Sequence, residues 1–389
     1  MHELVTVDRA KVSGVLRVPH GARSVVWIMH PRQDVTHHAL VPLLVADGFA
    51  VWTQGSRSPN NDLALIHEQT LLDVAAGQVF LREQGFSHVV MLGHSGGGTL
   101  AAFYCSQARL APAARLTKTP AGRPVPLAEA TMPLPDGVIF LAPHPGQGAL
   151  LQRVIDPSVT DELDPLSVDP QLDPFDPRNG FAEPGTSSTY SPEFIERYRL
   201  AQRARVHRID RLARTHVEEA DAAGRAFEED GDPGDRRRAL TPRLIVVHRS
   251  DADLRNIDLR IDPNQRPYGS LFGRRPDLTN YGLVGFGRLS TAEAWLSTWS
   301  ATTTNADFLR CAPGVTMPVL LLEFTGDQAS FPADIQAMAA AMGSADVSVD
   351  AVAGTHFGGP LHRGGVPGAV PAAERIRSWL TARFDCGSR

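Results

Sequence analysis

Three side chains in this sequence could together break an acyl bond: Ser95 in Gly93-His94-Ser95-Gly96-Gly97, Asp327 in Thr325-Gly326-Asp327, and His356 in Gly354-Thr355-His356. A serine hydroxyl is a poor nucleophile at neutral pH. A base has to take its proton as it attacks a carbonyl, and the same base must then protonate the leaving group. Histidine suits both steps, and a carboxylate fixes its tautomer and stabilises the imidazolium. The Gly-x-Ser-x-Gly spacing alone also arises by chance in glycine-rich chains, as an ordinary turn. Here an apolar run, residues 89–92, precedes it and a helix-like run, residues 99–108, follows. The order strand, sharp turn, helix holds a serine at a strained corner where glycines permit close approach. It also aims helix N-terminal N–H groups at a developing oxyanion.

The elements that must carry these residues alternate. Residues 3–7 and 12–18 read as a hairpin, and 24–29 as a nearly continuous apolar run suited to a central strand. After the polar loop His30-Pro31-Arg32-Gln33, residues 38–47 carry a helical pattern ended by Gly48, and 49–53 return to strand. Asn60, Asn61 or Asp62 is placed to cap a long helix over 63–84, stopped by Gly85. Residues 111–135 show no period, and 137–142 form another buried strand. Late in the chain come strand 319–324, helix 332–342, strand 347–352 and helix 374–384. This predicts an α/β fold, a mostly parallel central sheet with helices on both faces. Asp327 and His356 fall just beyond two successive late strands.

Residues 146–314 are of another kind. Five Asp-Pro pairs lie between Asp156 and Pro177, and each proline biases its predecessor away from helix, so an extended or turning chain is expected. Residues 193–227 read as a long amphipathic helix with seven arginines between Arg197 and Arg214. A nucleic-acid helix and a cap helix with a solvated basic face both fit that run, and the acidic whole favours the second. Residues 244–248 and 255–262 are strand candidates. Ser290-Thr291-Ala292-Glu293 matches a capping box that would open a helix with Trp295 and Trp299 on one face. The two tryptophans either line a substrate pocket or pin the insertion to the core. The expected organisation is core 1–145, cap 146–314, core 315–389.

The composition is that of a globular protein: 389 residues, 42% hydrophobic and 21% charged, with a formal charge of -5. That charge gives no electrostatic reason to bind nucleic acid or an anionic membrane. No apolar run approaches the roughly 20 residues that span a bilayer, and no basic and apolar leader opens the sequence, so a cytoplasmic protein is expected. Cys105, Cys311 and Cys386 suit neither a disulfide framework nor a zinc site, and Cys105 reads as a small core residue. His37-His38 lacks the spacing of a helical metal motif, and no metal or other cofactor is expected. The expected partner is a small-molecule substrate, with a homodimer left open.

The strand and loop at His30, the Ser95 motif, the Asp327 turn and the His356 turn, in that chain order, resemble the α/β-hydrolase fold superfamily, with a large cap inserted after the strand that follows the nucleophile helix. The resemblance covers the two ends of the chain. It implies an esterase-like serine hydrolase with Ser95 as nucleophile, His356 as base and Asp327 as orienting carboxylate. Glu323, within a strand, is the rival carboxylate. The resemblance further implies that the Gly96 N–H is one oxyanion donor and that the loop after the His30 strand supplies the other. Relatives often have His-Gly there, whereas Pro31 offers no N–H, so the second donor falls to Arg32, with Gln33 as the alternative. Arg32 could also anchor a substrate carboxylate. His30, His144, Trp295 and Trp299, with Tyr281 and Phe286 nearby, are expected to shape a mostly apolar acyl or aryl pocket. The same triad would also serve amide, thioester or C–C bond hydrolysis or acyl transfer, and a non-catalytic ligand receptor is the alternative of another class.

Overall fold

The computed structural model describes residues 1–384, so Cys386 lies outside the described residues. Eight strands form the main sheet: β1 (His2–Val5), β2 (Lys11–Arg17), β3 (Ser24–Met29), β4 (Ala50–Gln54), β5 (His88–His94), β6 (Gly137–Leu141), β9 (Val319–Phe324) and β10 (Val347–Val352). They lie in the order β1-β2-β4-β3-β5-β6-β9-β10. The first two are antiparallel, and every pairing from β4 to β10 is parallel. Strands β7 (Leu244–Val246) and β8 (Leu289–Thr291) pair separately, within the inserted segment.

The central strands are apolar at successive positions, and because successive side chains point to opposite faces the sheet is covered on both. Val25, Trp27 and Met29 of β3 pack into one core with α2 (His67–Glu83) and α3 (Gly96–Ala108). Val26 and Ile28 pack into the other with α1 (Leu40–Ala46) and the terminal helix Ala369–Arg383. Cys105 sits in the first core.

Strands β6 and β9 are neighbours in the sheet although residues 142–318 separate them in sequence. That excursion contains α4 (Gln147–Val154) and α5 (Pro192–Asp230), whose N-cap Ser191 accepts from Phe194 N. Two small apolar clusters form within it, one joining α4, α5, Trp295 and Trp299. Its last stretch behaves differently: Phe308, Cys311 and Ala312 pack into the main core against α3.

Several sequence expectations change. The helix expected from residue 63 begins at His67, because residues 63–66 hold the inserted segment: the Leu63 carbonyl accepts from Thr291 N and the Leu65 carbonyl from Thr298 Oγ1. Residues 255–262 are not a strand. Asp253 and Asp258 each accept the N–H two residues ahead, which curls the backbone into turns, and the apparent alternation comes from Arg255 and Arg260 pairing back to those aspartates. The Asp-Pro region turns in the same way, the carboxylates of Asp156, Asp164, Asp169, Asp173 and Asp176 each accepting the N–H just past the proline. The basic face of α5 is only partly solvated, since Arg205 is buried and, with Arg208, binds Glu162. The capping role falls to Thr291, whose hydroxyl accepts from Ala294 N, and the tryptophans then follow in a π-turn closed by Ser300 N on the Trp295 carbonyl.

Candidate active site

Ser95 follows β5 and stands at the N-cap of α3 with φ +54° and ψ −123°. An L-residue seldom adopts that conformation, which stores about 1–3 kcal/mol of strain. The surroundings enforce it. A Cβ on Gly93 would stand 2.4 Å from the Gly97 carbonyl oxygen, and one on Gly97 would stand 2.5 Å from that of Met29. The second approach presses α3 onto the end of β3 and brings the His30 loop beside the serine.

The three expected side chains meet. The Ser95 hydroxyl donates to His356 Nε2 at 2.9 Å, and His356 Nδ1–H donates to Asp327 Oδ2 at 2.8 Å. Asp327 Oδ1 accepts from the backbone N–H groups of Ala329 and Ser330, at 2.7 and 2.9 Å. Asp327 and His356 are buried, and Glu323 takes no part in this chain of bonds. With the carboxylate held from behind and the Ser95 hydroxyl on Nε2, the imidazole has one orientation and one tautomer.

Two histidines outside the expected triad hold it in place. His94 Nε2–H donates to the His356 backbone carbonyl at 2.8 Å, and His94 Nδ1 accepts from His38 Nε2 at 2.9 Å. His38 Nδ1 in turn accepts from Leu40 N at 3.3 Å. Burial holds the His38 pKa down at about 4, and burial, then His38 and His356, holds that of His94 well below the usual value. Both rings are therefore neutral, as the run of donors and acceptors requires. His38 is readable in sequence only as half of a His-His pair, and nothing local to it points toward residue 356.

Around the nucleophile the walls are polar. His30 and His144 lie beside it, each with Nδ1 occupied by backbone N–H groups: His30 accepts from Arg32 and Gln33, and His144 from Gly146. A Cβ on Gly96 would stand 2.3 Å from Gln147 Nε2 and 3.0 Å from His30 Nε2. Gln147 is buried, and its amide engages the ring of His67, which is buried beside it. Burial holds the pKa of His67 down at about 4 and that of His144 at about 3. Gln147 and His67 escaped the sequence reading. The only clue was their position, at the start of the helix after the His144 loop and at the start of α2.

Some expectations fail here. The Arg32 N–H does not face Ser95, because it donates to His30 Nδ1 at 3.1 Å, and the Gln33 N–H does the same at 3.0 Å. The Arg32 guanidinium forms a two-bond pair with Asp62 and lies 5.2 Å from the Trp299 ring and 5.7 Å from that of Phe286, so it ties the loop to the inserted segment. Trp295 does not line the site. Its Nε1–H donates to Asp210 of α5 at 2.7 Å inside the insertion's own core. Tyr281 is also engaged elsewhere, its hydroxyl accepting from Arg249. Trp299 reaches the site's edge only through Arg32.

Among the described residues no cluster of His, Cys, Asp and Glu could hold a metal ion, and no helix is long and apolar enough to cross a membrane.

No protein-family model matches the chain, and no curated relative does. Solved structures do. DcsB in complex with its substrate analogue superposes with a TM-score of 0.50 at 11% identity, covering 98% of each chain. Est1E from Butyrivibrio proteoclasticus with bound ferulic acid gives 0.46 at 11% identity, over 98% of each chain. The monoacylglycerol lipase of Paleococcus ferrophilus gives 0.45 at 13% identity, over 96% of this chain and 99% of that one. At such identities the likeness speaks of architecture alone. The first of these likenesses, together with the eight-stranded, mostly parallel sheet and the helices on its two faces, identifies the fold: this chain has the α/β-hydrolase fold.

Proposed function

We propose that the protein is a serine hydrolase that cleaves a carboxylic ester through an acyl-enzyme. The observation that carries this reading is the continuous run from Asp327 through His356 to the Ser95 hydroxyl at 2.8 and 2.9 Å. As Ser95 Oγ bonds to the ester carbon, its proton passes to His356 Nε2 and the carbonyl electron pair moves onto oxygen. The Gly96 N–H, at the positive end of α3, faces that oxygen. Collapse of the tetrahedral intermediate expels the alcohol oxygen, which takes the proton from His356. Water then repeats the sequence on the acyl-enzyme, with His356 again as base.

The substrate we infer differs from the apolar one expected. The buried side chains beside Gly96 are polar, His30 and Gln147, and a substrate with hydrogen-bonding groups near its ester would match them better than an alkyl one. Trp295, the main apolar candidate, is committed to Asp210.

Intact mass after treatment with a serine-directed fluorophosphonate tests the reading. One adduct is expected on the native protein and none on Ser95→Ala, whose kcat on an activated ester should fall by about 10⁴–10⁶-fold. A folded native protein that takes no adduct would sink the proposal. In a panel of esters matched for size, polar acyl or alcohol groups should outrank alkyl ones. Equal kcat/KM values would refute the polar assignment.

A further inference from the structure

In this fold the loop after β3 is where a second oxyanion donor is expected, yet its backbone has none to offer. Pro31 lacks an N–H, and those of Arg32 and Gln33 are both spent on His30 Nδ1. The same two bonds determine the chemistry of the His30 ring. Its Nδ1 presents a lone pair to the loop, so the ring proton is on Nε2. Burial, then the Arg32 guanidinium and the neighbouring His144, His94 and His356, hold its pKa well below the usual value, so the ring stays neutral. Nε2–H has no acceptor among the described residues. It lies 3.0 Å from the point where a Cβ on Gly96 would stand, beside the residue whose N–H is the first donor.

We propose that His30 Nε2–H is the second oxyanion donor, a side chain standing in for the backbone N–H that the loop does not supply. The inference rests on the serine-hydrolase reading. When the carbonyl electron pair moves onto oxygen, Gly96 N–H and His30 Nε2–H both bond to that oxygen. No proton leaves His30, and the bonds weaken again as the carbonyl re-forms. An imidazole clamped by two N–H groups is pre-aimed, which is what makes such a donor effective: it does not have to reorient as charge develops. Gln147 shares the hollow beside Gly96, but its amide is engaged with the His67 ring, whereas the His30 ring is clamped by two backbone N–H groups. The glycine at 96 also finds its reason here, since a side chain there would collide with both His30 and Gln147.

Two substitutions separate catalysis from loop support. In His30→Asn the side-chain oxygen replaces Nδ1 as acceptor for the Arg32 and Gln33 N–H groups, but the amide is too short to reach Gly96. In His30→Gln an N–H reaches the position of Nε2 while the loop loses its acceptor. The readouts are the rate of fluorophosphonate labelling at Ser95, kcat and KM on an activated ester, and the melting temperature. His30→Asn should slow labelling and kcat by about 10²–10³-fold at near-native KM and melting temperature. His30→Gln should melt lower yet react about tenfold faster than His30→Asn, or better. Gly96→Ala, whose methyl crowds His30 Nε2 as well as Gln147, provides a second reading of the same contact and should slow labelling about tenfold or more. A His30→Asn rate equal to the native one, or a His30→Gln protein slower than His30→Asn, would overturn the assignment. If His30→Asn does not fold, a native rate in Gly96→Ala would do so. Failure of the native protein to label removes the hydrolase reading and this inference with it. A labelled native protein with an unaffected His30→Asn variant removes this inference alone.

Discussion

In the sheet, Val138 and Phe140 of β6 face one layer of helices and Ile139 and Leu141 the other, all fully buried. At the same depth in the inserted segment stand Arg205, Arg249 and Arg255, paired with Glu162, Asp156, Asp253 and Asp334. The first region is held by removing apolar surface from water, which is insensitive to pH and tolerant of exact partners. The second is held by buried charges, where desolvation offsets most of the attraction and the result depends on every partner being present. The molecule therefore combines a scaffold that holds Ser95, His356 and Asp327 together with an inserted segment whose packing responds to ionisation.

The sharpest way to break this contrast is to remove one member from each region. Phe140→Ala takes away a ring packed edge-on against Phe308 at 4.9 Å and should cost about 3–5 kcal/mol at any pH where the protein folds. Arg205→Met should cost a similar ~3–5 kcal/mol near neutrality, because it leaves Glu162 to Arg208 alone and the carbonyls of Asp156 and His248 without their donor. The two losses differ in pH dependence. Burial opposes ionisation of Glu162, but the guanidiniums of Arg205 and Arg208 outweigh it and hold the carboxyl below its usual value. The stabilisation from that ionised carboxylate is complete above its unfolded value and is lost as pH falls through the folded one. Urea titrations should therefore show the penalty of Arg205→Met shrinking in acid while that of Phe140→Ala stays constant. Parallel pH curves would contradict the contrast.

The boundary between the regions has its own acid sensitivity. His67, at the start of α2, donates its backbone N–H to Ser297 of the insertion, and its ring is buried with a pKa of about 4. The unfolded ring, near 6.5, takes up a proton first as pH falls. Its contribution to stability is thus complete above 6.5 and is lost as pH falls toward 4, amounting to about 3 kcal/mol. His67→Gln should flatten the stability curve by about that much over this window and leave the value at pH 8 within about 1 kcal/mol. An unchanged slope would show that the ring meets water in the folded protein.

The same contrast decides what could be read in the sequence. The continuous apolar runs of β3, β5, β6 and β9 are a local signal, so the sheet, the strained serine and the order Ser95, Asp327, His356 follow from them. The support of the triad is not local. His38 acts through His94 on a carbonyl at residue 356, and the Arg32 N–H turns toward a ring two residues back. In the insertion the period itself misleads. An arginine that pairs to the aspartate two residues before it imitates a strand, as at Arg255, and a buried arginine on α5 imitates a solvated face, as at Arg205.

The two tryptophans give the finest test of where the insertion ends and the site begins. Trp295 belongs wholly to the insertion, so Trp295→Phe, which strands the Asp210 carboxylate, should lower stability by about 1–3 kcal/mol. It should leave the order of preferred esters unchanged. Trp299 gives its face to Arg32, the residue that also bonds the His30 ring. Trp299→Leu removes a contact between cation and ring of about 0.5–2 kcal/mol, while the Asp62 pair keeps the guanidinium close, so KM should move only a few-fold. The discriminating comparison is the ratio of KM values for a polar and an alkyl ester. If Trp295→Phe altered that ratio and Trp299→Leu did not, the tryptophan within the insertion would be the one in contact with substrate, and Asp210 would then hold a binding residue in place.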